Sequence, residues 1–216
     1  YKEALTATVD HTERLKKQTG GSGLFAQMSF ELGPADEEFL QSDEFKSGKT
    51  KMQFVNGIFG GSIPKEFFPS IIKGFLAMID SMKVRIYDGQ THAVDSKPIA
   101  FELCAKEGFR EAAKKAKPIL LEPIMKLEVV TPDEYVGPVI GDLNRRRGLP
   151  KGQDSRPGAI AISAEVPLSE MFGYVTQLRT ITSGRASSTM EFSHYAAVPK
   201  GIADDVIEKA KGTVKV

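Results

Sequence analysis

Asp88, His92 and Asp95 lie close enough in sequence for carboxylates to flank an imidazole, the arrangement of a general base. No partner nucleophile or metal set accompanies them, and a histidine on an exposed turn is more often a surface or contact residue. The other histidines, His11 and His194, are distant, and a single cysteine, Cys104, cannot complete a zinc set. A nucleotide-binding enzyme would need a phosphate cradle, but no GxxxxGK followed by Ser or Thr occurs. Gly20-Gly21-Ser22-Gly23 falls between expected strands, with no helix N-terminus to hold phosphate. Gly57-Ile58-Phe59-Gly60-Gly61 precedes a helix without matching the dinucleotide fingerprint. No catalytic residue and no metal ligand is therefore assigned.

Basic residues offer a different chemistry. Arg145-Arg146-Arg147 ends an expected helix, Lys151 and Arg156 follow in an expected loop, and Arg179 and Arg185 bracket a later helix end. Cations in a last turn satisfy free carbonyls and the negative end of the helix dipole. Three in a row exceed that need, which leaves phosphate contact open for Arg145, Arg146, Arg147 and Lys151. The 216-residue chain carries a net charge of only +1, so any pull on nucleic acid must be local. Asp36 to Glu44 reads as an acidic, solvated loop that would repel phosphate.

Hydrophobic residues at 41% and charged residues at 26% describe an ordinary globular chain with one large or two small domains. No apolar run has the length of a membrane span and no signal peptide opens the chain, so no membrane partner and a cytoplasmic location are expected. The lone cysteine fits a reducing compartment. Beginning at Tyr1, the chain is expected to be a fragment or a processed product.

These residues must be carried by two sets of elements. In the second half, Ile124 to Val130 alternates as a strand. Thr131 and Glu134 read as a capping box, opening a helix with Tyr135, Val136, Val139, Ile140 and Leu143 on its apolar face. A strand over Ala159 to Val166 precedes a helix with Met171, Phe172, Val175 and Leu178 on one face. Gly184 stops that helix and a last strand runs from Thr189 to Tyr195. The repeat predicts a ferredoxin-like fold.

In the first half, Tyr1 to Val9 and Leu24 to Leu32 read as strands, with Gln18 to Gly23 as a tight hairpin tip. A strand over Lys51 to Val55 leads through Gly57–Gly61 into a helix opened by Pro64, bearing Phe68, Ile71, Ile72, Phe75, Leu76 and Ile79. Met82 to Tyr87 alternates up to a turn signal at Asp88-Gly89. Pro98 opens a second helix with Phe101, Cys104, Ala105, Phe109, Ala112 and Ala116 on its buried side, and the domain boundary is expected at Glu122-Pro123. The tail from Pro199 predicts a polar helix docking through Ile202, Val206 and Ala210.

The same residues carry a family resemblance. Gln18-Thr19-Gly20-Gly21, Gly60-Gly61-Ser62-Ile63-Pro64-Lys65-Glu66, Tyr87-Asp88-Gly89, His92-Ala93-Val94-Asp95-Ser96 and Leu121-Glu122-Pro123-Ile124-Met125 resemble the carboxy-terminal part of bacterial elongation factor G. So do Val139 to Asn144, Arg146-Arg147-Gly148, Val166-Pro167-Leu168 and Glu170-Met171-Phe172-Gly173-Tyr174. The resemblance implies an α+β chain: a ribosomal-protein-S5-domain-2-like domain IV over 1–123, a ferredoxin-like βαββαβ domain V over 124–198, and a C-terminal helix and tail over 199–216. It implies no enzyme in this chain, since GTP and magnesium belong to an N-terminal domain of the parent, a ribosome-stimulated GTPase.

As partners it implies the small-subunit decoding centre, tRNA–mRNA, large-subunit RNA near the sarcin–ricin loop and stalk base, and the parent's own N-terminal domains. The RNA-contacting tip would comprise Gln18, Thr19, Gly20, Gly21, Ser22, Gly23, Gln90, Thr91 and His92. Departures point to a divergent paralogue. Ser22 stands where the family usually has a basic residue, Leu24 where it usually has glutamine, and the connection after Ile79 is short. Translocation, ribosome recycling and ribosome protection remain alternative outcomes for the parent.

Overall fold

The computed structural model describes residues 1–212, so residues 213–216 of the expected tail lie outside the described residues. The chain divides into one unit over Glu3–Ile119 and a second formed by Tyr1–Lys2 and the chain from Leu120.

The expected first strand is broken in two, β1 (Lys2–Ala4) and β2 (Val9–Thr19). Between them the Thr6 and Ala7 amides both donate to the Ala116 carbonyl (3.1 and 3.0 Å), which pulls the chain off strand geometry. With β3 (Ser22–Pro34), β4 (Gln53–Asn56) and β5 (Met82–Gln90), β2 forms a sheet of order β2-β3-β5-β4, in which only β4 and β5 run parallel. Two short helices, α1 (Glu37–Gln41) and α2 (Asp43–Lys46), replace the expected acidic loop. Ser42 Oγ caps α2 by accepting from the Phe45 amide at 3.3 Å, and the Phe39 and Phe45 rings pack 5.5 Å apart.

Helix α3 (Phe68–Leu76) is entered through a 3-10 turn at Lys65–Phe67, and α4 (Pro98–Lys115) follows β5. Alternate residues of β3 (Ala26, Met28, Phe30, Leu32) and β5 (Met82, Val84, Ile86) meet Ile71, Phe75, Phe101, Cys104 and Ala105 in one core. That period-two burial on strands against helical i, i+3, i+4 spacing is what fixes the sheet's covered face.

Strand β5 runs through Asp88-Gly89 instead of turning there. Ser29 pairs with Asp88 and Phe30 with Ile86, so Tyr87 is the extra residue of a β-bulge. Gly89 leaves room for Ile63, whose Cδ1 would sit 2.5 Å from a β-carbon at that position. The short connection after Ile79 closes through Ser81, which has φ +61° and donates its amide to Lys51 O at 2.8 Å.

The second unit contains β6 (Ile119–Thr131), α5 (Val136–Arg145), β7 (Leu149–Arg156), β8 (Ala159–Pro167), α6 (Tyr174–Ile181), β9 (Ser187–Ala197) and α7 (Lys200–Gly212). Its sheet has five strands, β1 and β9 both pairing with β6, and the antiparallel order β9-β6-β8-β7 within it is the topology of a ferredoxin-like βαββαβ fold. Leu127, Val129, Ile162, Ala164 and Val166 pack against Val139, Leu143, Tyr174 and Leu178.

Four expectations change here. The division falls after Ile119 and not at Pro123, because β6 is continuous and Leu121 to Pro123 already pair with β9. The capping box does not form: Thr131 ends β6, its Oγ1 is buried without a partner, and a 3-10 turn at Asp133–Tyr135 intervenes. Lys151 and Arg156 sit on edge strand β7, not in a loop. Phe172 and Val175 are exposed, since α6 starts only at Tyr174 and buries Tyr174 and Leu178 instead. On α7, Ile202 and Val206 are half-buried and Ala210 is exposed.

Candidate nucleic-acid interface

The β2–β3 ladder runs to a last pair of Thr19 with Ser22, leaving Gly20-Gly21 as a two-residue turn. Both have positive φ (+49° and +118°), as a type I′ turn requires to match strand twist. A β-carbon at either glycine would meet nothing within 4 Å, so the backbone conformation calls for glycine here and the turn stays open to close approach. Strand β3 pairs with β5 only as far as Gln27 opposite Gln90. Beyond that pair, Gly21 lies roughly 20 Å further along the hairpin, at about 3.3 Å per residue.

The loop from Thr91 to Lys97 is laced to this hairpin. The Phe25 amide donates to Asp95 O (2.9 Å), Ser96 Oγ donates to Phe25 O (2.9 Å), and Lys97 Nζ donates to Ser22 Oγ (2.7 Å). The Asp95 carboxylate fills the place of a Gly23 side chain: a β-carbon there would stand 2.5 Å from Asp95 Cγ. The loop closes on itself through Ser96 N to His92 O (3.1 Å) and His92 N to Ser96 Oγ (2.8 Å). His92 is 55% exposed, with its ring 6.3 Å from that of Phe25. Its Nδ1 lies 3.4 and 3.3 Å from the Val94 and Asp95 amides and 3.5 Å from Asp95 Oδ2, so that ring nitrogen is turned into the loop.

The fold thus gathers the expected tip at one end of the first unit. Gln18, Gly20, Gly21 and Ser22 are exposed on the hairpin, Thr19 is placed by its backbone pairing, and Gly23 is packed on Asp95. Gln90, Thr91 and His92 are exposed on the companion loop. From Arg14 to Phe30 the chain has no carboxylate but carries Arg14, Lys16 and Lys17, and across the packed loop Lys97 adds a cation and Asp95 an anion. Lys17 is paired with Glu107 at 3.2 Å, and the Arg14 guanidinium sits 5.5 Å from the Phe25 ring centroid. Asp88, in contrast, turns to its own strand, accepting from the Gly89 amide at 2.8 Å.

Sequence reasoning missed the lacing residues Phe25, Asp95, Ser96 and Lys97 as a positioning set. The signal available was Gly23, a third glycine beyond a turn already supplied with two.

The arginine triplet divides. Arg145 is exposed. Arg146 pairs with Asp142 (Nε to Oδ2, 3.0 Å), donates to the carbonyls of Glu170 and Phe172, and lies over the Tyr174 ring. Arg147 grips both oxygens of buried Glu122 (2.8 and 2.9 Å) and reaches Glu170 Oε1 (3.0 Å). Glu122 beside it raises the arginine pKa still further. Lys151 is half exposed, 3.4 Å from Glu165 Oε2. Arg146 and Arg147 are therefore engaged as internal counter-ions and turn ties, which leaves Arg145 and, in part, Lys151 facing solvent.

Compared with known proteins, residues 1–117 match the family model for elongation factor G, domain IV, and residues 119–206 match that for the elongation factor G C-terminus. Elongation factor G of Amoebophilus asiaticus and that of Cytophaga hutchinsonii are each 53% identical over 223 residues, covering 99% of this chain and 30% of theirs. Elongation factor G 2 of Vibrio cholerae is 46% identical over 221 residues, again covering 30% of that protein. A crystal structure from Thermus thermophilus superposes with a TM-score of 0.82 at 32% identity, covering 96% of this chain and 31% of that one. The chain thus spans about 30% of the length of the curated relatives it matches.

Proposed function

Because this chain belongs to the elongation factor G family, matching its domain IV and its C-terminus, we propose that it is the ribosome-binding arm of a translational GTPase. It promotes tRNA–mRNA translocation by entering the small-subunit decoding centre with the glycine hairpin and the His92 loop. The observation that carries this reading is the joint presentation of Gly20-Gly21 and His92 at one end, held by the Gly23–Asp95 and Ser22–Lys97 contacts.

The physics suits an RNA groove. A side-chain-free turn lets backbone approach closely, and an exposed imidazole can hydrogen-bond or stack where a minor groove is shallow. The arm acts by occupying space and not by chemistry. Its residues do not fit a nucleotide–magnesium group: the Gly20-Gly21 turn joins two strands with no helix N-terminus, Gly57–Gly61 lacks the dinucleotide fingerprint, and no cluster of three His, Cys, Asp or Glu suited to a metal occurs among the described residues. GTP hydrolysis in other domains of the parent would bias the arm's position. The second unit would lie against large-subunit RNA near the sarcin–ricin loop and stalk base, with Arg145 and Lys151 as its phosphate contacts, in the cytoplasm.

The test is His92→Ala in the intact factor. Translocation should slow while ribosome-stimulated GTP hydrolysis keeps its rate. An equal slowing of hydrolysis would count against the tip assignment.

A further inference from the structure

Strand β4 runs parallel to β5, with Asn56 opposite Ile86, so the chain leaving Asn56 emerges at the sheet end where β5 delivers Gln90 and His92. That connection, residues 57–64, is pinned at both ends. The Gly57 amide donates to Ile86 O (2.7 Å) and Asn56 Oδ1 accepts from the Ile58 amide (3.0 Å). At the far end, Ile63 is buried against Gly89. Between the pins stands Phe59, 88% exposed, the highest value among the exposed large apolar residues described. Gly60 and Gly61 follow it with φ +74° and +71° and open space around both, so neither crowds the ring.

A lone surface phenylalanine needs no explanation in general. Here its position supplies one. Phe59 follows Asn56 by three residues, on the strand that neighbours β5 at about 4.8 Å, so its segment leaves the sheet at the end toward which β5 runs. Lys65 is the only charged residue between Asn56 and Glu66, and Lys97 lies in the companion loop. An exposed aromatic face in a segment whose own residues 57–64 carry no charge, with Lys65 after it, is the chemistry that stacks an unpaired base.

We propose that Phe59 is a third contact of this end with RNA, a platform on which one unpaired base stacks beside the site taken by the hairpin and His92. The inference rests on the reading that this end of the first unit meets ribosomal or messenger RNA. Stacking needs a flat π-face, and an apolar pocket on a protein does not, so the two kinds of occupant respond differently to the side chain.

The experiment measures co-sedimentation of the chain with small ribosomal subunits carrying mRNA and tRNA, for wild type, Phe59→Ala, Phe59→Leu and Phe59→Trp. The residue is nearly fully exposed, so circular dichroism should show all four equally folded. Phe59→Ala and Phe59→Leu should both weaken binding roughly 5- to 150-fold, while Phe59→Trp keeps or tightens it. The chain has no tryptophan, so the introduced indole is also a single reporter whose fluorescence should be quenched by a stacked base. If leucine binds like wild type, the contact is an apolar pocket and the RNA platform is overturned. If wild type binds and alanine binds equally, only this inference fails. If wild type itself does not bind, the proposed function fails with it.

Discussion

Arg147→Ala should destabilise the second unit by about 3–4 kcal/mol. The Glu122 side chain is 3% exposed and both its oxygens accept from Arg147, which also bonds Glu170. Removing one partner of a buried pair costs about 3–5 kcal/mol, because the other charge is left uncompensated. A stranded carboxylate can escape by taking up a proton, at roughly 3.7 kcal/mol for an ordinary glutamate at pH 7. That escape limits the charge part of the loss, and water entering beside the quarter-exposed arginine trims it further. Arg147 also has φ +56°, a conformation costing a non-glycine residue about 1–2 kcal/mol. Alanine keeps that strain and glycine relieves it, so Arg147→Gly should lose less than Arg147→Ala. Glu122→Leu with Arg147→Met removes both charges and should fall much closer to the parent. Urea unfolding checks this, followed with probes in each unit because two units need not unfold as one transition. A loss under about 1 kcal/mol for Arg147→Ala, or a double variant no better than the single, would refute the internal counter-ion and return Arg147 to the phosphate-contact candidates.

Gly23→Ala should cost about 1–3 kcal/mol by overpacking against the Asp95 carboxylate, and Asp95→Ala in the same chain should restore most of it, as a double-mutant cycle would show. Burial pushes the Cys104 thiol up to about 12, so iodoacetamide at pH 8.5 should leave the folded chain unmodified and label it only in denaturant. The raised value also makes the folded state resist losing that proton. The thiol's contribution is intact below an unfolded value of about 8.5 and is lost as pH climbs toward 12, so Cys104→Ala should flatten the stability decline between pH 9 and 10. Phe172→Ser, at an 85% exposed ring, should change stability by less than about 0.5 kcal/mol, whereas Tyr174→Ala two residues on should cost about 3 kcal/mol or more, as thermal melts of the pair would reveal.

Regular burial made much of the fold legible. Strands β6 and β8 alternate cleanly and α5 carries a full apolar stripe, so the ferredoxin-like order follows from residues that must face one core. Strand β7 escaped because Leu149–Arg156 is an edge strand, almost wholly exposed, with Pro150 and Gly152 at a register shift, so it shows no period of two. Asp88-Gly89 imitated a hairpin turn because the bulge at Tyr87 and the contact with Ile63 are long-range facts, invisible locally. The tip's parts were legible from glycine spacing and from resemblance, while the lacing by Asp95, Ser96 and Lys97 joins residues about seventy positions apart. The arginines show the limit of counting charge: their partners Glu122 and Glu170 come from elsewhere in the chain.

The missing side chain at Gly23 ties the evolutionary fates of two segments. Any bulk acquired by the hairpin at that point has to be answered by a smaller or displaced residue at position 95, and a longer side chain at 95 finds no slack opposite. Loops exchanged between relatives should therefore work when hairpin and companion loop travel together, and fail when either is transplanted alone.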